Sequence, residues 1–219
     1  MAAKKRKKFI KERPPAPDPV NDQWRLFLAV QLPDDIRELI RAINQELSSA
    51  SLPLRLVEPQ LAHITLHFLG ETDPERAELL KLALPGALNA IRPFHLSTTT
   101  LGAFPDQRKP HVLWLGLDGD TGELIKVHSA LAIILKTYNF ETETRAFHPH
   151  ITLGRTREQA PASLAADLSK VASGSGMRKI LDSGPHGFDV TEVELVRSHL
   201  GKSGTRYETI QAFRFGGKR

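Results

Sequence analysis

Hydrophobic positions along the chain alternate between two spacings, and each switch marks an element. Arg25-Leu26-Phe27-Leu28-Ala29-Val30 is a nearly continuous apolar run and predicts a strand, with order beginning at Trp24. Pro33-Asp34-Asp35 then opens a helix in which Ile36, Leu39, Ile40, Ile43 and Leu47 recur at helical intervals. Leu61 to Leu69, rich in β-branched and aromatic residues, predicts a strand, and Pro74 to Ile91 a second helix bent at Pro85-Gly86. After Phe94 the pattern repeats in kind. Strands are expected at Phe94 to Thr100 and His111 to Leu117, then a helix over Asp120 to Tyr138 with Leu124, Val127, Leu131 and Leu135 inward. Arg145 to Leu153 reads as a strand, Arg157 to Val171 as a helix, and Ser173 to Gly184 as a flexible loop around Gly174 and Gly176. Phe188 to Ser198 and Arg206 to Phe215 close the chain as strands, with a hairpin turn over Gly201 to Gly204 that brings Lys202 near any bound phosphate. Two halves of this kind predict an α+β fold with internal pseudo-symmetry.

Composition changes this picture little. At 40% apolar and 25% charged, the 219 residues have the proportions of an ordinary globular domain. No apolar run approaches the roughly 18 residues of a membrane span, so no membrane partner is expected. The basic N-terminus lacks an apolar stretch before Pro14-Pro15 and is not expected to be a secretory signal. The absence of cysteine excludes a disulfide framework, thiolate catalysis and Cys-ligated zinc, and fits a reducing cytoplasm.

Charge changes it more. Residues 1–13 hold seven basic side chains against Glu12, a net of +6, whereas the whole chain is +5, which leaves residues 14–219 at −1. The excess thus sits in a tail that, with the Pro-rich spacer following it, reads as a disordered arm over 1–23. Such an arm suits nonspecific contact with nucleic acid. A folded unit over 24–219, a monomer near neutrality, must carry any specific chemistry in a local site.

One four-residue word supplies that chemistry twice. His63-Ile64-Thr65-Leu66 lies in the first half and His150-Ile151-Thr152-Leu153 in the second. On a strand, side chains alternate, so His and Thr share one face in each copy while Ile and Leu anchor the other. If the halves face each other, two imidazoles and two hydroxyls converge. That set suits a phosphodiester: one His as general base, the other as general acid, and the hydroxyls on the nonbridging oxygens, with no metal or other cofactor required.

These residues resemble the 2H phosphoesterase superfamily, whose hallmark is two His-x-Thr/Ser-x motifs, and within it the bacterial and archaeal RNA 2′,3′-cyclic phosphodiesterases, also called 2′-5′ RNA ligases. The resemblance spans about residues 25–215. It extends to Leu32-Pro33, His67-Phe68-Leu69-Gly70, Phe104-Pro105, Trp114, Phe147-His148-Pro149 and Gly204-Thr205-Arg206-Tyr207. The basic tail departs from it. The resemblance implies two lobes, each an antiparallel sheet with outer helices, around a central cleft. It implies hydrolysis of RNA or nucleotide 2′,3′-cyclic phosphate to a 2′-phosphate, with His63 protonating the departing oxygen and His150 activating water. A near-symmetric site gives no local reason to choose between those two roles.

Other residues carry weaker expectations. Arg155 is a candidate phosphate contact if Gly154 ends the regular strand; strict alternation puts it opposite His150. Arg145, on the opposite face by the same count, reads as structural, and Phe68 as core beside Ile64 and Leu66. His67 falls on the His63 face and is a candidate substrate contact, and Tyr207 and Phe147 are candidates for stacking on a base. A zinc cluster of His63, His67, His148 and His150 is disfavoured. His63 and His67 are spaced for a helix but sit on a strand, about 13 Å apart, with no carboxylate nearby. Two alternatives to hydrolysis stay open: a nucleotide-binding module that does not turn its ligand over, and RNA ligation as the reverse of the same chemistry.

Overall fold

The computed structural model describes residues 23–143, 145–157, 160–183, 186–201 and 204–217. The tail and Lys202 lie outside the described residues. The elements, in chain order, are β1 (Trp24–Gln31), α1 (Asp34–Ser49), β2 (Leu54–Leu56), β3 (His63–Thr72), α2 (Pro74–Leu88), β4 (Phe94–Phe104), β5 (Val112–Gly119) and α3 (Thr121–Thr137). They continue with β6 (His150–Thr156), α4 (Leu164–Ala172), α5 (Ser175–Ser183), β7 (Gly187–Val190), β8 (Glu192–Gly201) and β9 (Gly204–Arg214). Two antiparallel sheets result, one ordered β3-β1-β8-β9 and the other β2-β6-β5-β4-β7.

The periodic apolar stripes form the core as expected. Ile36, Leu39, Ile40, Ile43 and Leu47 of α1 and Leu124, Val127, Leu131 and Leu135 of α3 are all buried. They join the inward residues of both sheets in one continuous cluster. That cluster covers one face of the first sheet through Leu26, Leu28, Val30 and Ile64. The other face carries only a small group, Phe27, Ala29 and Val196 beside Tyr207.

The two halves are less separate than the sequence suggests. β1-α1-β3 and β5-α3-β6 are equivalent units, but β2 of the first half lies beside β6, and β8 and β9 of the second half extend the first sheet from β1. Each half thereby gives strand to the other's sheet. The run expected as one strand over Phe188 to Ser198 is broken at Thr191, where the chain leaves one sheet for the other. The expected loop over 173–184 is mostly helix: Met177 is fully buried and Ile180 and Leu181 are half-buried, a helical stripe that outweighs the two glycines. The helix predicted over 157–171 starts only at Leu164. Pro85 sits inside α2, which continues to Leu88.

Candidate active site

The two motif strands β3 and β6 belong to different sheets yet lie against one another. Pairing with β1 sets Gln31 opposite His63 and Ala29 opposite Thr65, and pairing with β5 sets Gly116 opposite His150 and Trp114 opposite Thr152. In both strands the register slips by one residue at the leucine of the motif. Leu28 pairs with His67 while Ala29 pairs with Thr65, leaving Leu66 extra; Leu113 pairs with Gly154 while Trp114 pairs with Thr152, leaving Leu153 extra. A β-bulge reverses which face the following residues take.

That reversal corrects two expectations, for His67 and Phe68, and brings Arg155 to the cleft by a route other than the expected end of the strand. Arg155 pairs with Val112, on the same side of β5 as Trp114 and Gly116, so it shares the face of His150 and Thr152 although β6 runs on through Gly154 to Thr156. Gly154 follows the bulged Leu153, and a Cβ there would sit 2.9 Å from the Arg55 carbonyl oxygen. His67 leaves the His63 face and is buried, with Nε2 donating to the His128 carbonyl at 2.9 Å. Phe68 is not core. It pairs with Phe27 on the His63 face and is 56% exposed.

Thr65, Phe68, His150, Thr152 and Arg155 line one cleft of about 490 Å³, with His67 in its wall. Tyr207 stands beside His63 instead, edge-on at 5.4 Å and 78°. Phe27 stacks on the same imidazole at 4.8 Å and meets Tyr207 edge-on at 5.0 Å, so the three rings form one cluster. His150 meets Phe104 edge-on at 5.0 Å. The indole of Trp114 lies across Gly102, where a Cβ would come within 2.1 Å of its ring. Residues 145–149 are not strand, so Arg145 is freed from the alternation expected of it and lines the cleft with Glu143 and Phe147.

Each motif imidazole is held in the same way. His63 Nδ1 lies 2.8 Å from the Leu61 carbonyl and His150 Nδ1 lies 2.7 Å from the His148 carbonyl. A carbonyl only accepts, so both rings carry their proton on Nδ1 and leave Nε2 unprotonated at neutral pH. Burial pushes both below the ordinary histidine range, against those carbonyl bonds, which favour the charged ring. The two rings are close enough that the charge of His150 lowers His63 further. His148 and Arg155 also lower His150, while Glu143 raises it.

Sequence reasoning missed Phe68, Phe104, Glu143 and His128 as neighbours of the cleft. Gly154 was the one local sign of a bulge. Among the described residues, no group of three or more His, Asp or Glu side chains is arranged to hold a metal ion.

The sequence pattern of the 2′-5′ RNA ligase superfamily matches residues 27–202. A protein of Archaeoglobus fulgidus named RNA 2′,3′-cyclic phosphodiesterase is 32% identical over 189 residues, covering 86% of this chain and 99% of that one. One of Methanothermobacter thermautotrophicus with the same name is 30% identical, covering 87% and 98%. Among solved structures, TT0787 of Thermus thermophilus superposes with a TM-score of 0.69 at 25% identity, over 89% of this chain and all of that one. Escherichia coli LigT complexed with 3′-AMP superposes at 0.65 and 26% identity, over 89% and 99%.

Proposed function

This chain belongs to the 2′-5′ RNA ligase superfamily, and we propose that it hydrolyses 2′,3′-cyclic phosphates of RNA and nucleotides to 2′-phosphates by acid–base catalysis from two histidines. The observation that carries the reading is the matched pair of Nδ1 bonds, which leaves each motif imidazole a basic Nε2 on two strands that lie against one another. In the reaction His150 Nε2 takes a proton from water as the water oxygen bonds phosphorus. The bond from phosphorus to the 3′ oxygen breaks, and protonated His63 supplies that oxygen's proton. Thr65 and Thr152 donate to the nonbridging oxygens, and the Arg155 guanidinium offsets their charge.

An RNA chain as substrate is supported by the sheet end beyond Arg155. Arg55 pairs directly with it on β2, and Arg108, Lys109 and Arg157 line an adjoining groove. Ligation runs the same steps backwards, but water at about 55 M makes hydrolysis the dominant direction. A cytoplasmic monomer remains part of this proposal. Among the described residues, no helix is long and apolar enough to cross a membrane.

The test is turnover of a nucleoside 2′,3′-cyclic phosphate in EDTA, with the product isomer identified by phosphorus NMR. The 2′-phosphate is the expected product. A folded protein that binds the nucleotide without turning it over is instead a binding module.

A further inference from the structure

Three rings with no role in the chemistry above stand face to face beside the cleft. His67 stacks on His128 of α3 with ring centroids 4.1 Å apart and planes 19° apart. His128 stacks in turn on Phe147 at 4.3 Å and 7°. The column therefore crosses from the first motif strand, through α3, to the segment that leads into the second motif. Its first ring is also fixed by the bond from His67 Nε2 to the His128 carbonyl.

That leading segment has little else to hold it. The described residues between 141 and 149 belong to no helix or strand. None of them makes a backbone–backbone hydrogen bond to another described residue outside the helices and strands. Phe147 is their half-buried contact with the main core. One residue on, the His148 carbonyl accepts the His150 Nδ1 proton.

We propose that the His67–His128–Phe147 column clamps the approach to the second motif and so holds His150 in its working tautomer. Fixing Phe147 fixes the neighbouring carbonyl, the carbonyl keeps the imidazole proton on Nδ1, and Nε2 is left facing the cleft. His128 is a positioning residue, since it acts on the reacting atoms only through His148 and His150. No described residue hydrogen-bonds its imidazole, so the ring contributes its faces, and a phenyl ring can replace it. Burial and the neighbouring His67 push His128 down to about 4, which leaves both stacked imidazoles neutral at ordinary pH.

The kinetic half of the test rests on the proposed hydrolysis; the spectroscopic half does not. Long-range proton–nitrogen NMR of the substrate-free protein reads the His150 tautomer, and steady-state kinetics on a nucleoside 2′,3′-cyclic phosphate read kcat and KM. In His128→Ala the Nδ1–H signature of His150 gives way to a mixture, and kcat falls about tenfold with KM within about twofold. His128→Phe restores both. Phe147→Leu, which keeps an apolar side chain but removes the ring, reproduces His128→Ala and serves if the alanine variant does not fold. The proposal is overturned if His128→Ala or Phe147→Leu folds and keeps both the wild-type tautomer and kcat. It is equally overturned if His128→Phe is no better than His128→Ala. Loss of the tautomer in a protein that hydrolyses no cyclic phosphate leaves the clamp standing and removes the function.

Discussion

The strands β3 and β6 carry the same four residues and the same register slip, but they hold their histidines in different company. Each imidazole donates to the carbonyl two residues before it, and each motif ends in a bulged leucine. Two residues past that leucine the chain again faces the cleft, with Phe68 on one side and Arg155 on the other. His63 packs in one cluster with Phe27 and Tyr207. The ionisable neighbours His148, Arg155 and Glu143 act on His150. The backbone device is duplicated and supplies two equivalent nitrogens; the side chain after the bulge breaks the symmetry. The cationic lip suits the phosphate, and the aromatic lip suits the nucleoside.

The comparison breaks first if the two hydroxyls are not equivalent. Thr65→Ala and Thr152→Ala are each expected to lower kcat about a hundredfold, the effect of losing one donor to a charged transition state, measured under saturating cyclic nucleotide. A loss confined to one of them means that only one strand holds the phosphate. Arg155→Ala is expected to raise KM about tenfold, with Arg155→Lys recovering part of it, because a guanidinium grips two phosphate oxygens at once. Phe68→Ala is expected to raise KM only about threefold, and more for purine than for pyrimidine cyclic nucleotides. Equal sensitivity to base in the Arg155 variant contradicts the division of labour between the lips.

The smallest effect concerns acid. Burial lowers His63, His67, His128 and His150 in the folded chain. Unfolded, these imidazoles take protons near their ordinary value of about 6.5. Their contribution to stability is therefore complete above that pH and is lost as pH falls, until about 4 for His128. Thermal melts should show Tm dropping across that window, less steeply in His128→Phe. The share of half-exposed His128 is on the order of 1 kcal/mol after discounting for solvent.

The inward stripes of helices α1 and α3 were legible, and the bounds of α3 to within one residue, because a 3.6-residue stripe such as Ile36 to Leu47 is a local signal. The paired motifs were legible because identical words carry the same chemistry. The bulges were not. A bulge is a one-residue excess over a partner strand far away in sequence, and only Gly154 hinted at it. Phe68 and His67 were assigned faces by unbroken alternation, and each faces the opposite side; Arg155 was kept as a cleft candidate against alternation and reaches the cleft by the bulge. The exchange of β2 and β8 between sheets was hidden for the same reason, since it is a fact about pairing and not about any single segment. Glu143 joins the cleft surroundings only through the irregular path before β6, where no periodicity applies, and His128 reaches them from α3.

The central claim is that His63 and His150 work as one acid–base pair. Turnover of a nucleoside 2′,3′-cyclic phosphate by His63→Ala, His150→Ala and the double variant tests it most directly. Each single substitution is expected to lower kcat by about a thousandfold, with the double variant scarcely lower than either, because half a pair is as idle as none. Two small losses that multiply in the double variant contradict the account, as does one histidine that can be removed without loss.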